Sequence, residues 1–184
     1  MSCLKAPGYQ DGHPGYSDPL DEQQFVVHVI NFLQQQPEWR STAVVIAYDD
    51  SDGWYDHQMG PIVNQSTSSV DALTAPGHCG DGTNTALPGV NSQVAHAQGR
   101  CGYGPRLPLL VISPWAKRNF VDHTVTDQTS ILRFVEDNWL KGERIGQGSF
   151  DAIANSLGNM FDFAEPDAFP RKLFLNELTG QPLH

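Results

Sequence analysis

Between Tyr48 and His57 the chain collects Asp49, Asp50, Asp52, Asp56 and His57, directly after the β-branched run Thr42-Ala43-Val44-Val45-Ile46-Ala47. Carboxylates crowded this closely repel one another, and a divalent cation is the compensating charge that hard oxygen ligands suit. Open α/β sheets place their ligand sites outside the carboxyl ends of the strands. Asp49 and Asp50 are the strongest candidates. Adjacent residues leaving a strand point to opposite sides, but a sharp turn can swing both carboxylates onto one ion. A metal held there beside a phosphoester would polarise a phosphoryl oxygen and orient a nucleophile. The plainer reading is an acidic turn, since Asp, Ser and Gly are ordinary turn residues and Asp52-Gly53 is a turn signal. The strand before the cluster and the Tyr55-Asp56-His57 ending after it favour a site.

Other polar residues gather around this cluster in sequence. His13 precedes Pro14 in a loop that lies near the end of the sheet if the helix after it packs on the sheet. A histidine there is suited to hold phosphate oxygens or to protonate a leaving group; the alternative is an exposed loop residue. Asp56 and His57 are either further ligands or a pair that locks the loop. His123, near Asp122 and Asp127, reads mainly as structural. Arg106 and Lys117 are the nearest cations, placed to serve either phosphate or the acidic surface. No Gly-x-Ser-x-Gly elbow or Cys-His pairing offers a nucleophile, and no glycine fingerprint joins strand to helix.

The elements that must position these residues are legible in part. Ser17 or Asp18 caps a helix over residues 19–35, with Pro19 in its first turn, Asp21 and Glu22 at its positive end, and Phe25, Val26, Val29, Ile30 and Leu33 at helical spacing. Pro37 stops it. Strands follow at Thr42–Tyr48 and at Leu107–Ile112, and a second helix at about residues 127–139, with Ile131, Leu132, Phe134, Val135 and Trp139 on its apolar face. Helix, strand, loop, strand and helix in this order predict an α/β layered fold. Met59 to Gly104 is irregular and needs either a function or a restraint. A bridge between Cys79 and Cys101 would close a loop of about 22 residues and contribute about 3 kcal/mol by chain entropy, which suits an exported protein; two separate thiols are the other reading.

Composition narrows the classes. The 184 residues suffice for one core or for part of a larger domain. A net charge of −10, with no clustered Lys or Arg, argues against nucleic acid as a partner. No run approaches the roughly 18 apolar residues of a membrane span, and the first residues carry no signal-peptide pattern. Met1-Ser2-Cys3-Leu4-Lys5-Ala6-Pro7 reads like chain interior. With two convincing strands, the chain is expected to be the C-terminal part, over residues 1–184, of something longer.

Several blocks carry a resemblance: Asp11-Gly12-His13-Pro14; Trp39 to Thr42; Ile46 through His57; Gly102 to Pro108; Val111 to Ala116; and Asp127-Gln128-Thr129-Ser130-Ile131-Leu132-Arg133-Phe134. Together, and in this order, they resemble the bacterial phosphoesterase family of non-haemolytic phospholipases C and related acid phosphatases, whose fold is similar to alkaline phosphatase. The resemblance implies an α/β sandwich with a central, mostly parallel sheet flanked by helices. It implies that Asp49 and Asp50 ligate a catalytic divalent metal (calcium, magnesium or manganese) and that His13 contacts the phosphoryl group. Much of the family carries Glu where Asp50 stands, so the arm here is one methylene shorter. The family draws its Glu-Asn metal ligands and its Ser or Thr nucleophile from an N-terminal half with no counterpart in these residues. It also implies a periplasmic or secreted protein, in accord with a Cys79–Cys101 bridge.

The expected function is therefore metal-dependent hydrolysis of phosphoric esters by the complete domain, on a small phosphoester or a phospholipid headgroup, with this chain supplying part of the site. Phosphatase and phospholipase C chemistry both remain open. A reading from another class is a catalytically inactive remnant serving as a binding or interaction module.

Overall fold

The computed structural model describes residues 1–51, 56–58, 103–146, 149–164 and 171–183. Cys79 and Cys101 lie outside the described residues, as does most of the long irregular stretch between the strands. Helix α1 spans Pro19–Gln35, strand β1 Val44–Ala47, strand β2 Leu109–Ile112 and helix α2 Thr129–Trp139, with short 3-10 turns before and after them. The protein is thus mixed α/β, and β1 and β2 are neighbours in one two-stranded sheet. Both strands are shorter than their β-branched runs suggest. The chain divides into two compact units, one of 1–44, 111–116 and 162–184, the other of 45–110 and 117–161.

In the first unit α1 begins where the sequence places it. The Asp18 carboxylate accepts from the Leu20 backbone N–H at 2.7 Å, Pro19 takes the first position, and Asp21 and Glu22 face the helix's positive end. The helix packs on the turns at Gly8–Gln10 and Pro37–Ser41. Its most buried polar residue, Gln34, is only 2 % exposed. The reason lies in the segment 171–178, which runs alongside α1 with its backbone paired to side-chain amides. Gln34 donates to the Leu173 carbonyl at 2.9 Å and accepts from the Leu173 N–H at 2.6 Å. Asn31 repeats the exchange with Leu175, at 2.8 and 3.2 Å. Gln23 donates to the carbonyls of Glu177 and Leu178, and the Trp39 indole N–H to that of Arg171 at 2.8 Å. A primary amide offers the same donor and acceptor as a peptide group, so these side chains stand in for a neighbouring strand. Val27 and Trp39 form the apolar core of this unit. The Ser113 hydroxyl donates to the Thr42 carbonyl and the Trp115 indole to that of Arg40, joining the segments just before β1 and just after β2.

In the second unit α2 packs on the turns at Phe150–Ala152 and Leu157–Met160. Ala154, Leu157 and Phe161 are buried, and the Phe134 and Phe161 rings stack with centroids 5.3 Å apart. The apolar face expected for α2 is corrected at two positions: Leu132 is exposed, and Trp139 is 68 % exposed, meeting Phe134 only at a ring edge, while the buried positions of the helix are Ser130 and Glu136. Ser130 turns inward because its hydroxyl accepts from the Asp127 N–H at 3.1 Å, closing the start of the helix. Asp127 caps beside it, accepting from the Thr129 N–H at 2.7 Å. The helix ends at Leu140, after which Lys141 and Gly142 take left-handed conformations and the Gly142 N–H returns to the Glu136 carbonyl.

Glu136 meets a second carboxylate, Asp151, which is also buried. Burial raises the Glu136 carboxyl, as do the charge of Asp151 and a hydrogen bond with it, while Arg144 at 3.1 Å works in the opposite direction. Burial also works against ionised Asp151, but the Ser149 side chain and the Ile145 N–H, which donates to Oδ2 at 2.9 Å, hold its carboxyl below the ordinary range. Because the folded-state value of Glu136 is raised, its contribution to stability is complete below the ordinary carboxyl value of 4.5 and is lost as pH rises through the higher native value. Glu136→Gln keeps a neutral donor at every pH. Its melting temperature relative to wild type should climb as pH goes from about 4 to about 8; a constant difference across that range would contradict the raised Glu136 carboxyl.

Candidate functional site

Asp49 and Asp50 lie just beyond β1, one residue after its end, exposed at a bend of the second unit. The turn is tied down from the start of α2. The Gln128 side-chain amide donates to the carbonyls of Tyr48, at 2.9 Å, and Asp49, at 2.6 Å. Gln128 is itself held by its neighbours: Asp127 caps α2 and accepts from the Tyr103 hydroxyl, whose pKa burial and the Asp127 charge push up to about 12. The block 127–130, matched in sequence only as a family signature, is thus the support of the acidic turn. Sequence reasoning missed Gln128, and its only signal was proximity to a capping Asp.

Asp56 is held by a backbone N–H and a cation. One carboxylate oxygen accepts from the Gln58 N–H at 2.8 Å and the other pairs with Arg106 at 2.7 Å. The Gln58 N–H and then the Arg106 side chain lower its carboxyl. The ion pair links residues on either side of the long stretch between the strands, so Arg106 serves an acidic side chain here. His57 and His123 are exposed in the same unit. Lys117 contacts the Asn159 side-chain oxygen at 3.3 Å and lies over the Phe120 ring.

His13 belongs to the first unit. Its backbone N–H donates to the Asp11 carboxylate at 3.1 Å, and its ring stacks on Tyr16 with centroids 4.1 Å apart. Nδ1 accepts from the Gly15 N–H at 2.9 Å. An Nδ1 engaged as acceptor leaves the proton of the neutral ring on Nε2, so the imidazole presents Nε2 as a donor. Gly12 is favoured by its φ of +85°, a conformation L side chains rarely adopt, and a Cβ on Gly15 would come within 3.0 Å of the His13 ring, which would have to give slightly. The loop that holds His13 and the turn that holds Asp49 and Asp50 are each well defined within their own unit.

Asp49 and Asp50 present hard oxygens of the kind that calcium, magnesium and manganese take. Among the described residues no group of three or more His, Cys, Asp or Glu side chains converges. The donors thus fit such an ion in type. None of the described helices is long and apolar enough to cross a membrane.

The model of the phosphoesterase family matches residues 1–140. The chain belongs to this family. It is 31% identical over 174 residues to a non-hemolytic phospholipase C of Pseudomonas aeruginosa, covering 92% of this chain and 24% of that protein. A non-hemolytic phospholipase C of Burkholderia pseudomallei is 30% identical over 91% of the chain and 23% of its own length. Phospholipase C A of Mycobacterium tuberculosis is 25% identical over 93% of the chain and 31% of its own length. The chain therefore spans between a quarter and a third of these phosphoesterase relatives, or slightly less.

Proposed function

We propose that this segment of the phosphoesterase family forms part of the active site of a phosphoric ester hydrolase of phospholipase C type. The observation that carries the reading is the Asp49-Asp50 pair at the end of β1, in a chain similar to proteins named phospholipase C along nine-tenths of its length. In the complete domain the fold is an alkaline-phosphatase-like sandwich around a mostly parallel sheet, and the substrate is a phosphoester, with a phospholipid headgroup as the favoured class. A divalent cation, when bound between Asp49 and Asp50, supplies charge stabilisation at the phosphoryl oxygens. This chain's own contribution is to hold that ion's two carboxylates in register and to present the Nε2 proton of His13. That N–H is suited to donate a hydrogen bond to a non-bridging phosphoryl oxygen. The attacking Ser or Thr hydroxyl comes from elsewhere in the domain and forms a phospho-enzyme that water then hydrolyses. Export and a Cys79–Cys101 bridge belong to the same reading.

The test is hydrolysis of bis(p-nitrophenyl) phosphate by a whole domain, made by joining residues 1–184 to the remaining part of the Pseudomonas aeruginosa relative. Turnover should be abolished by a chelator and restored by a divalent cation. The 184-residue chain by itself should stay near background. Chelator-insensitive turnover by the joined protein would overturn the metal-dependent reading; a folded, metal-loaded joined protein without turnover would favour the non-catalytic binding module.

A further inference from the structure

We infer that Gln128 is a positioning residue for the Asp49-Asp50 pair. This rests on the proposed metal site and deepens it. The side-chain amide of Gln128 reaches back from the start of α2 to two successive carbonyls, Tyr48 O at 2.9 Å and Asp49 O at 2.6 Å. Both acceptors are oxygens, and the –NH₂ group carries two N–H donors, so one amide satisfies both carbonyls and only its nitrogen can face them. Fixing the Tyr48 and Asp49 carbonyls fixes the peptide planes on both sides of the Asp49 Cα, and with them the direction in which that carboxylate leaves the backbone.

The anchor is stiff for a reason that is also on the second unit. Gln128 has helical dihedrals, φ −59° and ψ −29°, immediately before α2. Asp127 beside it accepts from the Thr129 N–H and hydroxyl and from Tyr103. The Ser130 N–H returns to the Asp127 carbonyl at 2.9 Å. Two like charges on adjacent residues favour a turn that separates them; a neutral donor bonded to the backbone opposes this without competing for the carboxylate oxygens. Supports of this kind behind ligating groups set metal affinity while touching no metal themselves.

The experiment compares wild type, Gln128→Met and Gln128→Glu in the 184-residue chain by NMR during titration with Mn²⁺. Gln128→Met keeps the arm's length and loses both donors; Gln128→Glu is isosteric and sets acceptor against acceptor. In both variants the carbonyl ¹³C resonances of Tyr48 and Asp49 should shift while the α2 resonances from Ile131 onward stay in place. The Mn²⁺ midpoint for broadening at Asp49 and Asp50 should weaken by about tenfold or more in Gln128→Met, the size expected for a lost support of a metal ligand. Gln128→Asn, one methylene short and with the donor retained, should fall between wild type and Gln128→Met. Shifted carbonyl resonances with an unchanged Mn²⁺ midpoint in Gln128→Met would overturn the positioning role and leave the metal site standing. Wild-type broadening that is absent at Asp49 and Asp50, or that survives Asp49→Asn, would overturn the metal site and this inference with it.

Discussion

Asp49→Asn is expected to lower phosphoester turnover by the complete domain on the order of a hundredfold or more, equivalent to about 2.7 kcal/mol or more of lost transition-state stabilisation. The substitution keeps the shape of the side chain and removes its charge, so the cation loses half of the carboxylate pair that this segment offers. It should do little harm to folding. Asp49 is exposed in its turn, and the Gln128 bond goes to its backbone carbonyl, which the substitution leaves intact. Removing one of two adjacent negative charges also relieves repulsion in the metal-free protein. The predicted pattern is thus weaker metal binding, much lower turnover and an unchanged or slightly higher melting temperature. Normal turnover in a folded Asp49→Asn protein would sink the assignment.

Trp39→Ala carries the largest expected effect on stability. Trp39 is 2 % exposed in the first unit, and its indole N–H donates to the Arg171 carbonyl at 2.8 Å. Truncating a buried Trp typically costs about 3–5 kcal/mol through lost transfer energy and the cavity left behind. The unpaired Arg171 carbonyl adds to this, and it stands at the start of the segment that the amides of Gln34, Asn31 and Gln23 hold against α1. Phe32 is the internal control. It lies on the same helix with 56 % of its surface exposed, and Phe32→Ala should stay within about 0.5 kcal/mol of wild type. Urea unfolding followed by circular dichroism measures both. A loss below about 1 kcal/mol for Trp39→Ala would contradict its place in the core.

The local signals that the sequence carries strongly are those the structure reproduces. α1 lies at Pro19–Gln35 with Asp18 as its cap, and β1 and β2 fall inside their β-branched runs and pair in one sheet. The acidic residues begin one residue beyond β1. Less legible were interactions between residues distant in sequence. Gln34, Asn31 and Gln23 look like the solvent side of an amphipathic helix, because a side chain that mimics a peptide group has no hydrophobic period. The tail they bind, 171–178, accordingly looks unpatterned. Glu136 and Asp151 are each ordinary surface carboxylates in sequence, and only their shared burial makes them a pair. Spacing alone places Leu132 and Trp139 on the apolar face of α2, but both are exposed, Trp139 as the last residue of the helix. At the candidate site, the acidic pair stands out in sequence through charge crowding at the end of a strand, whereas Gln128 does not, since a polar residue beside a cap has many unremarkable roles.

The site account is tested most directly by locating the cation. Crystals of the protein soaked in Mn²⁺ and measured at the manganese absorption edge should show an anomalous peak beside the end of β1. It should lie about 2.0–2.6 Å from a carboxylate oxygen of Asp49 and from one of Asp50, the range taken by hard divalent ions. A peak held by other side chains, with the Asp49 and Asp50 carboxylates bare, would contradict the account.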